Sequence, residues 1–178
     1  MKKISFIIPC FNEEKNVLII YDKIKKIYQQ QNYEVEIIFI DDGSSDNTLY
    51  ELKQIKDSDK KISAKIISFS RNFGKDSAIY AGLKNSTGDY SVIIDADLQQ
   101  NPKLTLDMVR FLEENKDYNC VCYYQDKRIE NKFISFLKKK FYKLMAGTTN
   151  IEFVEGASDF RMFDRKMTNS IIELKEKN

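Results

Sequence analysis

The sequence predicts an α/β fold, a mostly parallel sheet with helices on both faces. Short apolar runs alternate along the chain with segments of helical periodicity. That is the pattern of strand–helix–strand units whose strands are buried on both sides. The polar clusters "PCFNEE", "DDGSSD", "SRNFGK" and "DADLQ" each follow an apolar run, which is where open α/β sheets hold ligands, at the carboxyl ends of the strands. With 178 residues, one domain over 1–178 is expected, with a real core and too little chain for a second.

Ile4–Cys10 reads as the first buried strand. Asn12 is expected to cap the next helix, whose apolar positions Val17, Ile20, Tyr21, Ile24, Ile27 and Tyr28 keep helical spacing. Val35–Ile40 is a second strand. Gly43 then permits a tight turn, and Ser or Asp can cap a helix carrying Leu49, Leu52 and Ile55. Lys65–Phe69 is a third strand, followed by a helix with small residues Ala78, Ala81 and Gly82 on its packing face. Tyr90–Ile94 is the fourth. Asn101-Pro102 is a helix start, an Asn cap with Pro at the first position, before Leu104, Met108, Phe111 and Leu112 as the buried stripe. Tyr118–Tyr124 is a fifth strand.

The composition excludes several chemistries. The chain has no His, so His triads, His–zinc sites and imidazole acid–base catalysis are absent, leaving carboxylates, Lys, Arg and a metal. Cys10, Cys120 and Cys122 are an odd set, and reduced thiols explain them more simply than a disulfide. No secretory leader is visible and no run approaches the ~20 apolar residues that span a bilayer, so the chain as it stands is expected to be soluble. Net charge is +2, with one basic block: residues 125–145 hold 7 basic and 2 acidic side chains. Nothing in this distribution points to nucleic acid.

"VIIDADLQ" ends the fourth strand with two acids one residue apart. On a strand, Asp95 and Asp97 would project the same way, and like charges there call for a nearby cation. Hard carboxylate oxygens favour Mg²⁺ or Mn²⁺, which in turn favour phosphate. A solvated acidic turn is the plainer reading of the pair alone; coherent polar groups at four strand ends argue against it.

"IPCFNEE", "IDDGSSDNT", "SRNFGKDSAIYAGL", "DADLQQNP" and "ASDFRMFDRK", in this order and spacing, resemble the inverting family 2 glycosyltransferases of the GT-A, Rossmann-like fold. Within them the resemblance is to the polyprenyl-phosphate branch, from Ile4 to about Lys166. It implies a nucleoside diphosphate sugar donor, with uridine the expected base, and Mg²⁺ or Mn²⁺ as cofactor. The acceptor it implies is a polyprenyl phosphate, at the cytoplasmic face of the membrane. By the same resemblance Pro9, Phe11, Glu13 and Asp42 would hold base and ribose, Phe11 standing where Tyr is common. Asp95 would sit near ribose, sugar or metal, Asp97 would be the principal metal ligand, and Gln99 would complete the shell. Arg71 and Lys75 are candidates for phosphate contacts, or else plain surface charges. The family's pair of basic residues in an acceptor loop maps onto "QDKRIE", where Arg128 transfers and Lys127 could substitute for the other. Asp159 and Arg161 of "SDFR" would face the acceptor. Relatives of this kind continue with a further segment and often membrane helices, so a chain shortened at its C-terminus is expected; an oligomer is left open.

In the basic block, Phe133, Phe136, Leu137, Phe141 and Leu144 fall at helical spacing among Lys132, Lys138, Lys139, Lys140 and Lys143. That is the pattern of a helix lying on an anionic membrane surface, or of a core-packed helix with a solvated basic face. A lipid-linked acceptor favours the first. Two other functions are weighed: the same transfer to a saccharide hydroxyl, and a receiver-type signalling module, which leaves "DADLQ" and "SDFR" without a role.

Overall fold

A computed structural model of the protein describes residues 1–55, 62–124 and 157–174. Its contacts divide the chain into a main unit, residues 1–121 with 159–178, and a second, residues 122–158. Of the second unit only 122–124 and 157–158 are described, and every site residue placed below belongs to the main unit.

Along the chain run β1 Lys2–Cys10, α1 Val17–Tyr28, β2 Tyr33–Asp41, α2 Thr48–Leu52, β3 Ile62–Ser68, α3 Lys75–Lys84 and β4 Tyr90–Ile93. A 3₁₀ turn at Pro102–Leu104, α4 Thr105–Glu114, β5 Cys120–Tyr124, β6 Ala157–Asp164 and α5 Arg165–Glu173 follow. The strands form one six-stranded sheet in the order β3-β2-β1-β4-β6-β5. β1 pairs parallel with both β2 and β4, β2 pairs parallel with β3, and β4 pairs antiparallel with β6. The order reverses between β1 and β4, where the crevice of a doubly wound sheet opens.

Alternation along β1 explains the layering. Phe6 points to one face and meets Tyr28 of α1 edge-on, ring centroids 5.4 Å apart. Ile7 points to the other and packs with Ile38, Ile40, Ala78 and Leu83 against α3. Both faces are therefore covered, which is why β1 and β2 are apolar almost throughout. Each fully buried Ile or Phe contributes roughly 2 kcal/mol of transfer free energy.

The loops at the carboxyl ends are laced together by side chains. Gly43 has φ of +67°, and a Cβ there would run into the backbone of Arg71 and Asn72; the turn needs glycine on both counts. Asp41 accepts the Ser44 N–H (3.1 Å), and Asp46 accepts the Thr48 N–H (2.9 Å); the N-cap residue of α2 is Asn47, which makes no side-chain cap bond, in place of the Ser or Asp expected there. Asn101 accepts the Lys103 N–H with Pro102 next in line, as the Asn-Pro pair indicates.

Three further expectations are corrected. Asn12 does not cap α1, which begins five residues later at Val17. Asn12 instead adopts a left-handed φ of +58° and accepts the Ser45 N–H at 2.9 Å, tying the first loop to the second. Phe111 is 41% exposed and rests on Tyr118 at 5.5 Å, while Val109 takes the buried place on α4. β6 lies outside the five strands read from the sequence, although Phe160 and Met162, both fully buried, alternate with Asp159 and Arg161. That period of two is a strand signal.

Candidate active site

The ends of β1, β2 and β4 and the start of α3 enclose an open cleft of about 420 Å³, lined by Pro9, Phe11, Glu13, Asp42, Lys75, Asp95 and Asp97. Cys10, Asn72, Gly74 and Ala96 complete its wall; sequence reasoning named none of them for the site. Phe11 is 47% exposed, a ring held at the rim without core packing, as a stacking surface would be.

Asp42 is buried, and its two carboxylate oxygens accept the N–H groups of Phe73 (2.7 Å) and Gly74 (2.9 Å). The acid thereby shapes the loop that leads into α3 and sets where Lys75 begins the helix. Glu13 accepts from Asn16 Nδ2 at 2.6 Å, and its own N–H donates to Thr48 Oγ1 at 2.7 Å.

The acid pair does not leave the sheet as alternating strand residues. β4 ends at Ile93, and both acids sit on the turn that follows, in which Leu98 has a left-handed φ of +63°. Gln100 closes that turn: its Oε1 accepts the Asp95 N–H (3.0 Å) and its Nε2 donates to Asp95 Oδ2 (3.2 Å). Asp97 is exposed to the cleft, its Oδ1 accepting the Gln99 N–H at 3.1 Å. Gln99, expected beside the acids, lines a separate depression with Lys23, Lys26 and Lys103. Gln100 borders that depression too, and it is the glutamine whose side chain holds Asp95.

Lys75 pairs with one acid of the two and with a third, Asp159. Its Nζ lies 2.7 Å from Asp95 Oδ1 and 2.9 Å from Asp159 Oδ2. Burial draws the lysine's pKa down, but the two carboxylates outweigh it and hold the ammonium above the ordinary lysine value. The Lys75 hydrogen bond, joined by the charge of Arg161, holds Asp159 below the usual carboxylate value against the effect of burial. Arg161 lies opposite Ile93 in the β4–β6 ladder, its guanidinium 3.7 Å from Asp159 Oδ1. Strand pairing therefore brings Asp159 and Arg161 to the same strand end as the acid pair, from sixty residues away in sequence. Arg71 is not in the cleft wall; its guanidinium stacks over the Phe73 ring at 4.7 Å. Arg128 and the helix expected over 132–144 lie outside the described residues.

Among the described residues, no three His, Cys, Asp or Glu side chains gather into a metal cage. Two carboxylates on one cleft suit a different arrangement. Mg²⁺ is commonly held by one or two carboxylates with its other positions given to water and phosphate oxygens. Asp95 and Asp97 thus fit a hard divalent ion that arrives with a diphosphate, and do not form a site for a resident ion held by protein alone.

The strand order, with β6 antiparallel beside β4 and acids after β4, is that of the GT-A glycosyltransferase fold, and comparison with known proteins agrees. The family model "Glycosyl transferase family 2" matches residues 5–172, and the chain belongs to that family. It is 38% identical over 178 residues to the uncharacterized glycosyltransferase YkcC of Bacillus subtilis, covering 98% of this chain and 53% of that protein. To a prophage bactoprenol glucosyl transferase homolog of Escherichia coli it is 34% identical over 180 residues, covering 99% and 56%. The chain thus spans about half the length of the curated relatives it matches. Glucosyl-3-phosphoglycerate synthase of Mycobacterium tuberculosis, solved with Mn²⁺, uridine diphosphate and glucosyl-3-phosphoglycerate, shares the fold. That likeness has a TM-score of 0.62 at 22% identity, covering 93% of this chain and 58% of the other. Family membership sets aside the receiver-type module.

Proposed function

We propose that the protein transfers a hexose, with inversion, from a nucleoside diphosphate sugar to a polyprenyl phosphate, and that uridine diphosphate is the leaving group. The observation that carries this reading is the meeting of Asp95 and Asp97 with Lys75, Asp159 and Arg161 at one end of the sheet. Acids for a metal–diphosphate and cations for a second phosphate stand side by side. The printed name of the Escherichia coli relative, a bactoprenol glucosyl transferase homolog, supports a polyprenyl acceptor.

In this reading Phe11, Pro9 and Glu13 receive the base and ribose, and Asp42 keeps the loop before α3 in shape. Asp97, with Asp95, would hold Mg²⁺ or Mn²⁺, and when bound that ion would supply neutralisation of the charge building on the departing diphosphate. Arg161, with Arg128 of the expected acceptor loop, pairs with the lipid phosphate. A phosphate oxygen of the acceptor attacks the anomeric carbon from the face opposite the diphosphate. The new bond forms as the bond from that carbon to the diphosphate oxygen breaks, which inverts the configuration. No proton has to be removed, because the acceptor phosphate is already an anion near neutral pH.

Asp159 therefore orients Lys75 and Arg161 and does not serve as a base, in keeping with a pKa held low. Asp159→Asn is expected to slow turnover about ten-fold, less than the 10²–10⁴-fold that loss of a general base costs. Steady-state rates of the full-length enzyme on undecaprenyl phosphate and on a matched saccharide check this. Turnover on the saccharide alone, with near-complete loss in the variant, would make Asp159 a base and the acceptor a hydroxyl.

The basic apolar pattern of 132–144 supports docking on an anionic membrane at its cytoplasmic face. Each lysine near such a surface contributes about 1 kcal/mol, so reversing Lys138, Lys139 and Lys140 to Glu should abolish sedimentation with anionic vesicles. Equal sedimentation with neutral vesicles would remove the membrane from the account.

A further inference from the structure

Lys75 holds two carboxylates that the proposed function assigns to different substrates. Asp95 follows β4 on the donor side, and Asp159 lies on β6 on the acceptor side; the ammonium bridges them at 2.7 and 2.9 Å. Of the two ends of the first ion pair, Asp95 is the better fixed. Gln100 grips both its N–H and its second carboxylate oxygen, and its side chain is 25% exposed. Lys75 is 40% exposed and sits on a flexible four-carbon stem that can swing without disturbing α3.

A carboxylate oxygen takes a divalent ion at about 2.0–2.1 Å and an ammonium at about 2.7–2.9 Å. Held at those distances on Asp95 Oδ1, the two cations would repel each other strongly. The ammonium thus occupies one of the two carboxylates that a divalent ion would use. Among the described residues, Lys75 lies against Asp95 and Asp159 and Arg161 against Asp159, while Asp97 lines the same cleft as Lys75 and Asp95. A divalent ion and a nucleoside diphosphate sugar are together close to neutral, so they enter with little change in the cluster's total charge. What they demand is a new pairing, in which the ion meets the carboxylates and the phosphates meet a cation.

We propose that Lys75 is an exchange cation, tying Asp95 to Asp159 in the free protein. When the donor loads, it surrenders Asp95 to the divalent ion and pairs with the diphosphate, releasing Asp159 toward the acceptor. Lys75 is then a positioning residue that makes readiness of the acceptor side depend on a filled donor side. The inference rests on the reading of the cleft as a metal–diphosphate site.

Two affinities test it: Mn²⁺ alone, followed by the electron spin resonance of the free ion, and uridine diphosphate in saturating Mn²⁺, followed by calorimetry. In Lys75→Met the competing cation and the phosphate partner are lost together. Mn²⁺ alone should bind about ten-fold more tightly, and uridine diphosphate about ten-fold more weakly, one charge-assisted contact each. Lys75→Gln should repeat both shifts, and Lys75→Arg should keep both affinities within about three-fold of wild type. The opposite signs are diagnostic. A fixed bridge predicts that both affinities fall or that neither moves. A lysine that only contacts phosphate leaves Mn²⁺ unchanged, and one that only screens the acids leaves the nucleotide unchanged; each of these results overturns the proposal. If wild-type protein fails to bind uridine diphosphate with Mn²⁺, the reading of the cleft itself falls and takes the exchange with it. Nucleotide binding to wild type with shifts of one sign in the variants removes the exchange alone.

Discussion

Asp97→Asn is expected to abolish metal-dependent binding of uridine diphosphate while leaving the protein folded. Asp97 lies exposed on the turn after β4, and among the described residues its carboxylate holds only the neighbouring Gln99 N–H, a bond that an Asn side-chain oxygen also accepts. The substitution removes a charge and one hard ligand and nothing from the core. Since outer-shell partners of metal ligands alone are worth 10–100-fold in affinity, loss of a ligand should cost at least about 100-fold. Stability should stay within about 0.5 kcal/mol. Calorimetry with Mn²⁺ reads the first figure and thermal unfolding the second. An unchanged affinity would take Asp97 out of the metal site.

The second large effect lies at the opposite end of the sheet. Glu36 is fully buried on β2 and accepts hydrogen bonds from Ser5 Oγ (2.6 Å), the Thr87 N–H (2.5 Å) and Lys65 Nζ (2.9 Å). Lys3 Nζ is a further 3.2 Å away. Burial alone would raise its pKa, but those donors overcome burial and bring it from 4.5 down to about 2. A carboxylate whose folded pKa lies below its unfolded value stabilises the fold above the unfolded pKa and loses that contribution as pH falls through the folded one. Glu36→Gln should therefore destabilise the protein by about 3 kcal/mol at pH 7. The gap between wild type and variant should shrink from about pH 4.5 downward and close near pH 2. Urea unfolding at a series of pH values measures it; a gap that does not vary with pH would mean that the charge of Glu36 is not what stabilises this end of the sheet.

Glu36 shows why the two ends of the sheet were unequally legible. β1 and β2 announce themselves as apolar runs because both faces are covered, and a carboxylate inside β2 looks like an edge residue until its donors are seen. Those donors come from β1, β3 and the turn before β4, which only the strand order brings together. At the functional end the motifs were readable because each sits directly after a strand. Their partners were less so. The Lys75 bridge requires β6 beside β4, and β6 was hidden by a mixed segment whose alternation of Phe160 and Met162 with Asp159 and Arg161 is short. Gln99 was singled out by resemblance to the family's motif, which says nothing of the turn that brings the side chain of Gln100 onto Asp95. Around the left-handed turn at Leu98, the side chain of Gln100 holds Asp95 and the N–H of Gln99 donates to Asp97. Asn12 looked like a helix cap by residue type, and the demand of the Ser45 N–H won. Such contacts depend on how two loops meet, and local propensity carries no information about that.

The central claim is transfer of a hexose to a lipid phosphate with inversion. The most direct measurement is product analysis after incubating the full-length protein with Mn²⁺, a labelled α-linked uridine diphosphate hexose and an equimolar mixture of undecaprenyl phosphate and a saccharide acceptor. The account predicts label in the organic phase as a β-linked hexosyl phosphate of the lipid, lost when the metal is chelated. Label recovered on the saccharide, or a lipid product that keeps the α configuration, would contradict it.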